Sequence, residues 1–177
     1  MMIHFHILCT VEDPLWPLFL DTYTSSFPID EQRPIDKLAQ LLYCETRFQA
    51  MALLDNSGNC LGILTTWTFE NFIYIEHFAL HCTLRSQGYG SMALQAFIHS
   101  HSLPTVLEVE PPVDDITCRR VQFYKRCGLE IYDFDYIQPP YSPELSSVPL
   151  RLMGTLSDAY SLEDITIILH QKVYGMK

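Results

Sequence analysis

The sequence predicts an α/β fold: a mixed, mostly antiparallel sheet flanked by helices, with one parallel pair at its centre. Three observations carry this. Residues 72–82 (FIYIEHFALHC) are apolar and rich in aromatic and β-branched types; the chain then turns through RSQGYG at 85–90 and continues as the helix-patterned SMALQAFIHS. Upstream, residues 48–54 and 60–69 flank the turn cluster Asp55-Asn56-Ser57-Gly58-Asn59, the pattern of a hairpin. Downstream, TVLEVE at 105–110 follows the helix, and a strand–helix–strand crossover lays its second strand parallel to its first.

The other elements follow in chain order. Residues 3–9 (IHFHILC) read as a first strand. Asp13-Pro14 has the form of a helix start, aspartate as cap and proline in the first turn, and Trp16, Phe19, Leu20 and Tyr23 then recur at helical spacing. Ser25-Ser26-Phe27-Pro28 breaks this helix, and a second starts between Asp30 and Pro34 with Ile35, Leu38 and Leu42 as its apolar face. After the 105–110 strand, Pro111-Pro112 stops the chain and Asp114-Asp115 cap a helix to Arg126, with Ile116, Arg120, Phe123 and Cys127 along one side and Gly128 just past its end. Residues 131–137 read as a strand, 138–143 as a proline-rich loop and 148–153 as a last strand. Ser161-Leu162-Glu163-Asp164 resembles a capping box, opening a helix with Leu162, Ile165, Leu169 and Val173 on one face.

Composition sets limits on function. A chain of 177 residues, 48% hydrophobic and 18% charged, reads as one domain spanning 1–177 with room for a real core. The net charge of −10 argues against nucleic acid or an anionic membrane as partner and is compatible with a cationic small molecule. Six cysteines without a C-x-x-C pair read as free thiols in a reducing compartment, and no secretory leader pattern opens the chain, so a cytoplasmic protein is expected. No apolar run approaches the ~18 residues of a membrane span. The histidine pairs His4/His6 and His99/His101 bring no third ligand at useful spacing, so no metal is expected.

The turn at 85–91 carries the chemistry. A strand entering a glycine turn that opens a helix leaves backbone N–H groups pointing outward, and with the helix dipole they form an anion site. Gly88 and Gly90 permit close backbone approach, and Arg85 adds a fork suited to phosphate oxygens. No third glycine completes a dinucleotide fingerprint, and no Gly-Lys-Ser/Thr completes an ATP-type loop. The stretch resembles the acyl-CoA loop of the GNAT superfamily of N-acetyltransferases, Arg/Gln-x-x-Gly-x-Gly/Ala after a strand. Phe123-Tyr124-Lys125-Arg126-Cys127-Gly128-Leu129 resembles that family's FYxxxGF signature, with leucine for the last phenylalanine. The element order also matches, with an added C-terminal helix.

The resemblance implies a GNAT fold whose central parallel strands splay apart to hold acetyl-CoA. The co-substrate would lie against the backbone of Phe78, Ala79 and Leu80 and in the loop Arg85, Ser86, Gln87, Gly88, Tyr89, Gly90 and Ser91. Tyr124 falls where the family places a tyrosine near the CoA sulfur, so it is the expected acid. Strand alternation puts Glu76 on the face of Phe78 and Leu80, where its carboxylate could take the ammonium proton; Glu108 and Glu110 are further carboxylate candidates. His77 alternates away from Glu76 and reads as structural. The segment from Ser26 to Pro34 resembles the region that walls the acceptor pocket in some bacterial members, and Phe27, Tyr136 and Tyr141 offer aromatic surfaces to a cation. The expected activity is acetyl transfer from acetyl-CoA to a primary amine of a small, cationic acceptor. Two other readings stand beside it: a silent acyl-CoA-binding module, and an acetyltransferase of peptide N-termini. The C-terminal helix and proline loop could support a homodimer.

Overall fold

The computed structural model describes residues 2–157 and 159–176. The chain runs β1 (His4–Leu8), α1 (Trp16–Ser26), α2 (Ile35–Cys44), β2 (Phe48–Leu54), β3 (Cys60–Thr68), β4 (Ile73–Leu80), α3 (Tyr89–His99), β5 (Thr105–Val109), α4 (Asp115–Arg126), β6 (Glu130–Ile131), β7 (Tyr136–Gln138), β8 (Val148–Gly154) and α5 (Leu162–Ile168). The eight strands form one sheet in the order β1-β2-β3-β4-β5-β8-β6, with β7 also on β8. Among the described residues only β4 and β5 pair in parallel, as the crossover requires.

Two apolar clusters occupy the two faces. Trp16, Phe19 and Tyr23 of α1, Leu38 of α2 and Ile165 of α5 pack on one side against Ile63, Trp67, Tyr74 and Val106. Ala93, Leu94 and Phe97 of α3 and Val121 of α4 pack on the other against Leu64, Ile73, Ile75 and Leu107. The strands alternate between these clusters, so each side of the sheet is dry and the polar residues that enter it need partners.

Several local expectations are corrected. Asp13 does not cap α1 as its N-cap residue; its carboxylate accepts from the Leu15 N–H at 2.9 Å, and the helix begins at Trp16 with Pro17 in its first turn. Ile116 is exposed on α4, and Thr117 and Val121 face inward instead. The expected strand at 131–137 is two short strands, β6 and β7. The helix that begins at α5 changes pitch, its last stretch Leu169–Val173 forming a π-turn in which the Tyr174 N–H reaches back to the Leu169 carbonyl at 3.1 Å. The wider turn ends at Tyr174, whose hydroxyl reaches the Glu108 carboxylate.

Two helix caps are as expected from the sequence. Asp114 accepts from the N–H groups of Ile116 and Thr117 at 2.9 and 2.8 Å, and Ser161 accepts from Asp164 at 3.1 Å. Gly128 takes the left-handed conformation at φ 93° that ends α4.

Candidate functional site

β4 and β5 pair only over Ile73↔Thr105, Tyr74↔Val106 and Ile75↔Leu107. Past that point β4 keeps β3 on one side and β5 keeps β8 on the other, but the two part from each other. The parting opens a cleft of about 840 Å³. Its walls are the separated strand ends, the α1–α2 connection at 25–31, the loop before α3, and α4.

Phe78, Ala79 and Leu80 line this cleft along the edge of β4 that has lost its strand partner. At its mouth a short 3-10 turn, Cys82–Leu84, leads into the loop. Ser86 and Gly88 both adopt positive φ, 64° and 86°, and Gly88 is the N-cap of α3 with no side chain bonding the first turn. A residue larger than glycine would find open space at Gly88, so the requirement there is conformational rather than steric. Arg85 is held over the loop by Nε donating to the Leu80 carbonyl at 3.3 Å and Nη2 donating to Ser26 Oγ at 3.1 Å. Arg85, Ser86, Gly88, Gly90 and Ser91 line the cleft; Gln87 and Tyr89 do not, Gln87 donating to the Thr83 carbonyl and Tyr89 packing on the second core cluster. An uncapped helix start beside an arginine suits a phosphate, and the adjoining bare strand edge suits an amide-bearing arm.

Tyr124 reaches the cleft from α4, together with Arg120 and Arg126. Burial pushes its phenol up to about 12, with Arg120 pulling the other way. It therefore holds its proton throughout the neutral range.

Glu76 is not where alternation puts it. The β3–β4 register slips between Thr65↔His77 and Thr66↔Ile75, so Glu76 is the extra residue of a β-bulge. Glu76 and His77 consequently both leave the face of Phe78 and Leu80 and turn to the α1–α2–α5 side, which corrects the expectation that they point apart, while both still line the cleft. The Glu76 side chain is fully buried. Arg33 donates to its Oε1 through Nε at 2.7 Å, with Nη2 also at 2.7 Å; Tyr141 donates to Oε1 at 3.0 Å and the Trp67 indole to Oε2 at 2.9 Å. Burial pushes this carboxyl up, but the charge of Arg33 and the hydrogen bonds from Trp67 and Arg33 outweigh it, and the net shift is downward. His77 donates from Nε2 to the Glu31 carbonyl at 2.9 Å, which leaves Nδ1 to accept from Thr65 Oγ1 at 3.0 Å. Burial lowers its pKa, so the ring is neutral and ties β4 to the α1–α2 connection.

Glu108 is the first β5 residue beyond the parting. Tyr136 donates to its Oε1, and Tyr174 lies 3.0 Å from Oε1 and 2.8 Å from Oε2. Burial raises its pKa to about 7 against the pull of these hydroxyls. Glu110 also lines the cleft, but it is paired with Arg120. Phe27 and Tyr141 line the cleft; Tyr136 stands behind it. Among the described residues no group of three or more His, Cys, Asp or Glu could hold a metal, and no helix is long and apolar enough to cross a membrane.

Sequence reasoning missed Arg33, whose guanidinium lies over the rings of Tyr141 at 4.5 Å and Trp67 at 5.4 Å, and Tyr174. It also missed that α4 brings two arginines to the cleft.

Comparison with known proteins agrees with this architecture. The acetyltransferase (GNAT) family model matches residues 13–129. A solved Bacteroides thetaiotaomicron structure classed as a GNAT-family acetyltransferase is 33% identical, with 98% of this chain and 99% of that chain covered and a TM-score of 0.92. A Vibrio cholerae spermidine N-acetyltransferase variant is 14% identical over 92% of this chain and 98% of its own, with a TM-score of 0.64. The Vibrio enzyme in complex with CoA and spermine is 10% identical over 86% and 94%, with a TM-score of 0.62. At those identities the Vibrio structures speak for the fold alone. No curated protein sequence matches the chain.

Proposed function

The chain belongs to the GNAT acetyltransferase family, and from that premise we propose that it transfers the acetyl group of acetyl-CoA directly to a primary amine of a small, cationic acceptor. The observation that carries this is the parting of β4 from β5 after Ile75↔Leu107, which puts the glycine loop, Tyr124 and the acidic residues around one continuous cleft. In this reading the chain is a single domain, working in the cytoplasm. Arg85 and the N–H groups opening α3 hold the phosphates, and the bare edge at Phe78–Leu80 holds the pantetheine arm and polarises the thioester carbonyl. Tyr124 returns a proton to the sulfur. The acceptor nitrogen surrenders its proton to a carboxylate at the parting, Glu76 or Glu108.

The unpaired acidic groups of the cleft favour a cationic acceptor. Arg33 neutralises Glu76 and Arg120 neutralises Glu110, so the acidic groups left to face the cleft are Glu31 and Glu108, with Phe27 and Tyr141 beside them. Carboxylates next to aromatic faces favour an ammonium. The Vibrio relatives of this fold are named for spermidine, an acceptor of that class. Thiol release from acetyl-CoA over a panel of polyamines, amino sugars, neutral amines, anionic amines and short peptides tests the proposal. Cationic amines are expected to lead; a preference for anionic ones would refute the electrostatic argument.

The loop assignment has its own test. Gly88→Val forces a β-branched residue to φ 86°, a strain on the order of 1–3 kcal/mol if the loop is kept. The loop is expected to relax instead and lose acetyl-CoA affinity by tenfold or more. Calorimetry on the folded variant checks this, and wild-type affinity would remove the loop from the binding site.

A further inference from the structure

We propose that Glu108, not Glu76, accepts the ammonium proton of the acceptor, and that Tyr174 of the C-terminal π-turn is the positioning residue that holds its carboxylate toward the cleft. This rests on the acetyl-transfer reading above and assigns one of its steps.

An ionised carboxylate offers about four lone-pair positions. Glu76 has Arg33 Nε and Nη2, Tyr141 and Trp67 against it, two of these contacts coming from one guanidinium. Three of these crowd Oε1 and Trp67 alone meets Oε2, so what sets Glu76 aside is charge: Arg33 neutralises it and leaves it no reason to bind a proton. Among the described residues the hydrogen-bond donors to Glu108 are tyrosine hydroxyls, and no cation is among them. Oε1 faces Tyr136 and Tyr174 and Oε2 faces Tyr174, with the Tyr74 hydroxyl also acting on the carboxylate; three hydroxyl protons at most meet about four lone-pair positions, so one remains for an incoming N–H. Glu108 lines the cleft at the strand parting, beside the edge of β4 that would carry the thioester.

Tyr174 is placed by the change of helical pitch at Leu169–Val173, a feature often found at functional sites. The same turn presents the Val173 carbonyl to Arg33 Nη2 at 2.7 Å. One segment therefore braces both carboxylates. The Tyr74 hydroxyl lies 3.1 Å from that of Tyr174, so Tyr74 can donate to Tyr174 while Tyr174 donates to Glu108. The groups facing Glu108 are Tyr74 and Glu76 from β4, Tyr136 from β7, Tyr141 from the loop after it, and Tyr174. Arg33 and His77 stand behind Glu76, and His170 packs on Tyr136. Burial and the Glu76 charge raise the Glu108 pKa, the tyrosines lower it, and the result near 7 suits a group that must take and release protons at neutral pH.

The step balances. Of the three hydrogens on the ammonium nitrogen, one moves to Glu108 Oε2 and then to solvent. The freed lone pair forms the bond to the acetyl carbon, and the carbon–sulfur bond breaks with its electrons leaving on sulfur. A second hydrogen reaches sulfur through Tyr124, which gives its own proton and regains one from nitrogen. The third stays in the amide.

The test is the dependence of kcat/KM on pH, with acetyl-CoA and the best amine of the panel. Wild type is expected to show a rising limb centred near pH 7. Glu108→Gln should remove the limb and lower kcat on the order of 10²-fold while acetyl-CoA affinity stays unchanged. Tyr174→Phe removes a donor that favours the ionised form. It should move the limb to higher pH and lower kcat more than it raises KM, whereas a purely structural tyrosine would leave the limb in place. An active wild type with the limb intact in Glu108→Gln overturns the proposal. If that variant does not fold, an unmoved limb in Tyr174→Phe does so. A wild type inactive on every amine overturns the acetyl-transfer reading itself, and this step with it.

Discussion

Arg33→Met is expected to destabilise the fold by about 3–5 kcal/mol, the scale set by removing one partner of a buried ion pair. For a chain of this size that lowers the melting temperature by roughly 6–20 °C. The reason is Glu76: its side chain is fully buried, and Arg33 is the cation that balances it. Without Arg33 the carboxylate must either stay charged in a dry layer or take up a proton. The sign of the pH response separates this from lost packing. In the wild type the Glu76 pKa is held below its ordinary 4.5, so its contribution is present above that value and lost as pH falls through the lower, folded one. In Arg33→Met burial is opposed by no cation, only by the Trp67 and Tyr141 hydrogen bonds, and the folded pKa rises. The variant should then gain stability relative to wild type as the solution is acidified from neutrality toward pH 5. Adding Glu76→Gln to Arg33→Met should recover much of the loss, since no charge is then buried. Thermal melts across pH check all three outcomes, and a loss below about 1 kcal/mol with no pH dependence would show that solvent reaches the pair.

That pair also marks where the sequence stopped being readable. The hairpin, the crossover and the glycine turn follow from local rules, because turn residues and side-chain period act over a few positions. The bulge at Glu76 leaves no such trace. IYIEHFAL contains no glycine or proline, and its apolar pattern fits an uninterrupted strand, so period-2 reasoning sends Glu76 and His77 to opposite faces. What the bulge answers to is distant: Arg33 from the α1–α2 connection, Thr65 from β3 and Tyr141 from the proline-rich loop meet these two side chains only after folding. Tyr174 is the same case, 66 residues from the carboxylate it touches. A usable signal did exist in TVLEVE, where Glu108 sits among apolar residues of a strand whose neighbours on both sides bury. A lone carboxylate in such a run needs partners, and a chain with ten tyrosines can supply them.

Tyr124→Phe is expected to lower kcat on the order of 10²-fold and leave acetyl-CoA affinity within about twofold, the behaviour of a group used only as the carbon–sulfur bond breaks. Phenylalanine keeps the ring against the second core cluster and its edge contact with Phe123, at 5.2 Å between centroids, so neither the cleft wall nor the fold is disturbed. What disappears is a phenol that burial has pushed to about 12. Such a phenol is fully protonated at neutral pH, and its anion is unfavourable enough that it must recover a proton from the nascent amide nitrogen at once. That restores the acid before the products leave. The same burial predicts no falling limb from Tyr124 below about pH 10 in the wild type; any inhibition at milder alkalinity must come from another group. Single-turnover measurements with pre-bound acetyl-CoA isolate the chemical step. A wild-type rate for Tyr124→Phe in that experiment would assign Tyr124 to packing and leave protonation of sulfur to solvent entering between Arg120 and Arg126, the two cations α4 adds to this wall.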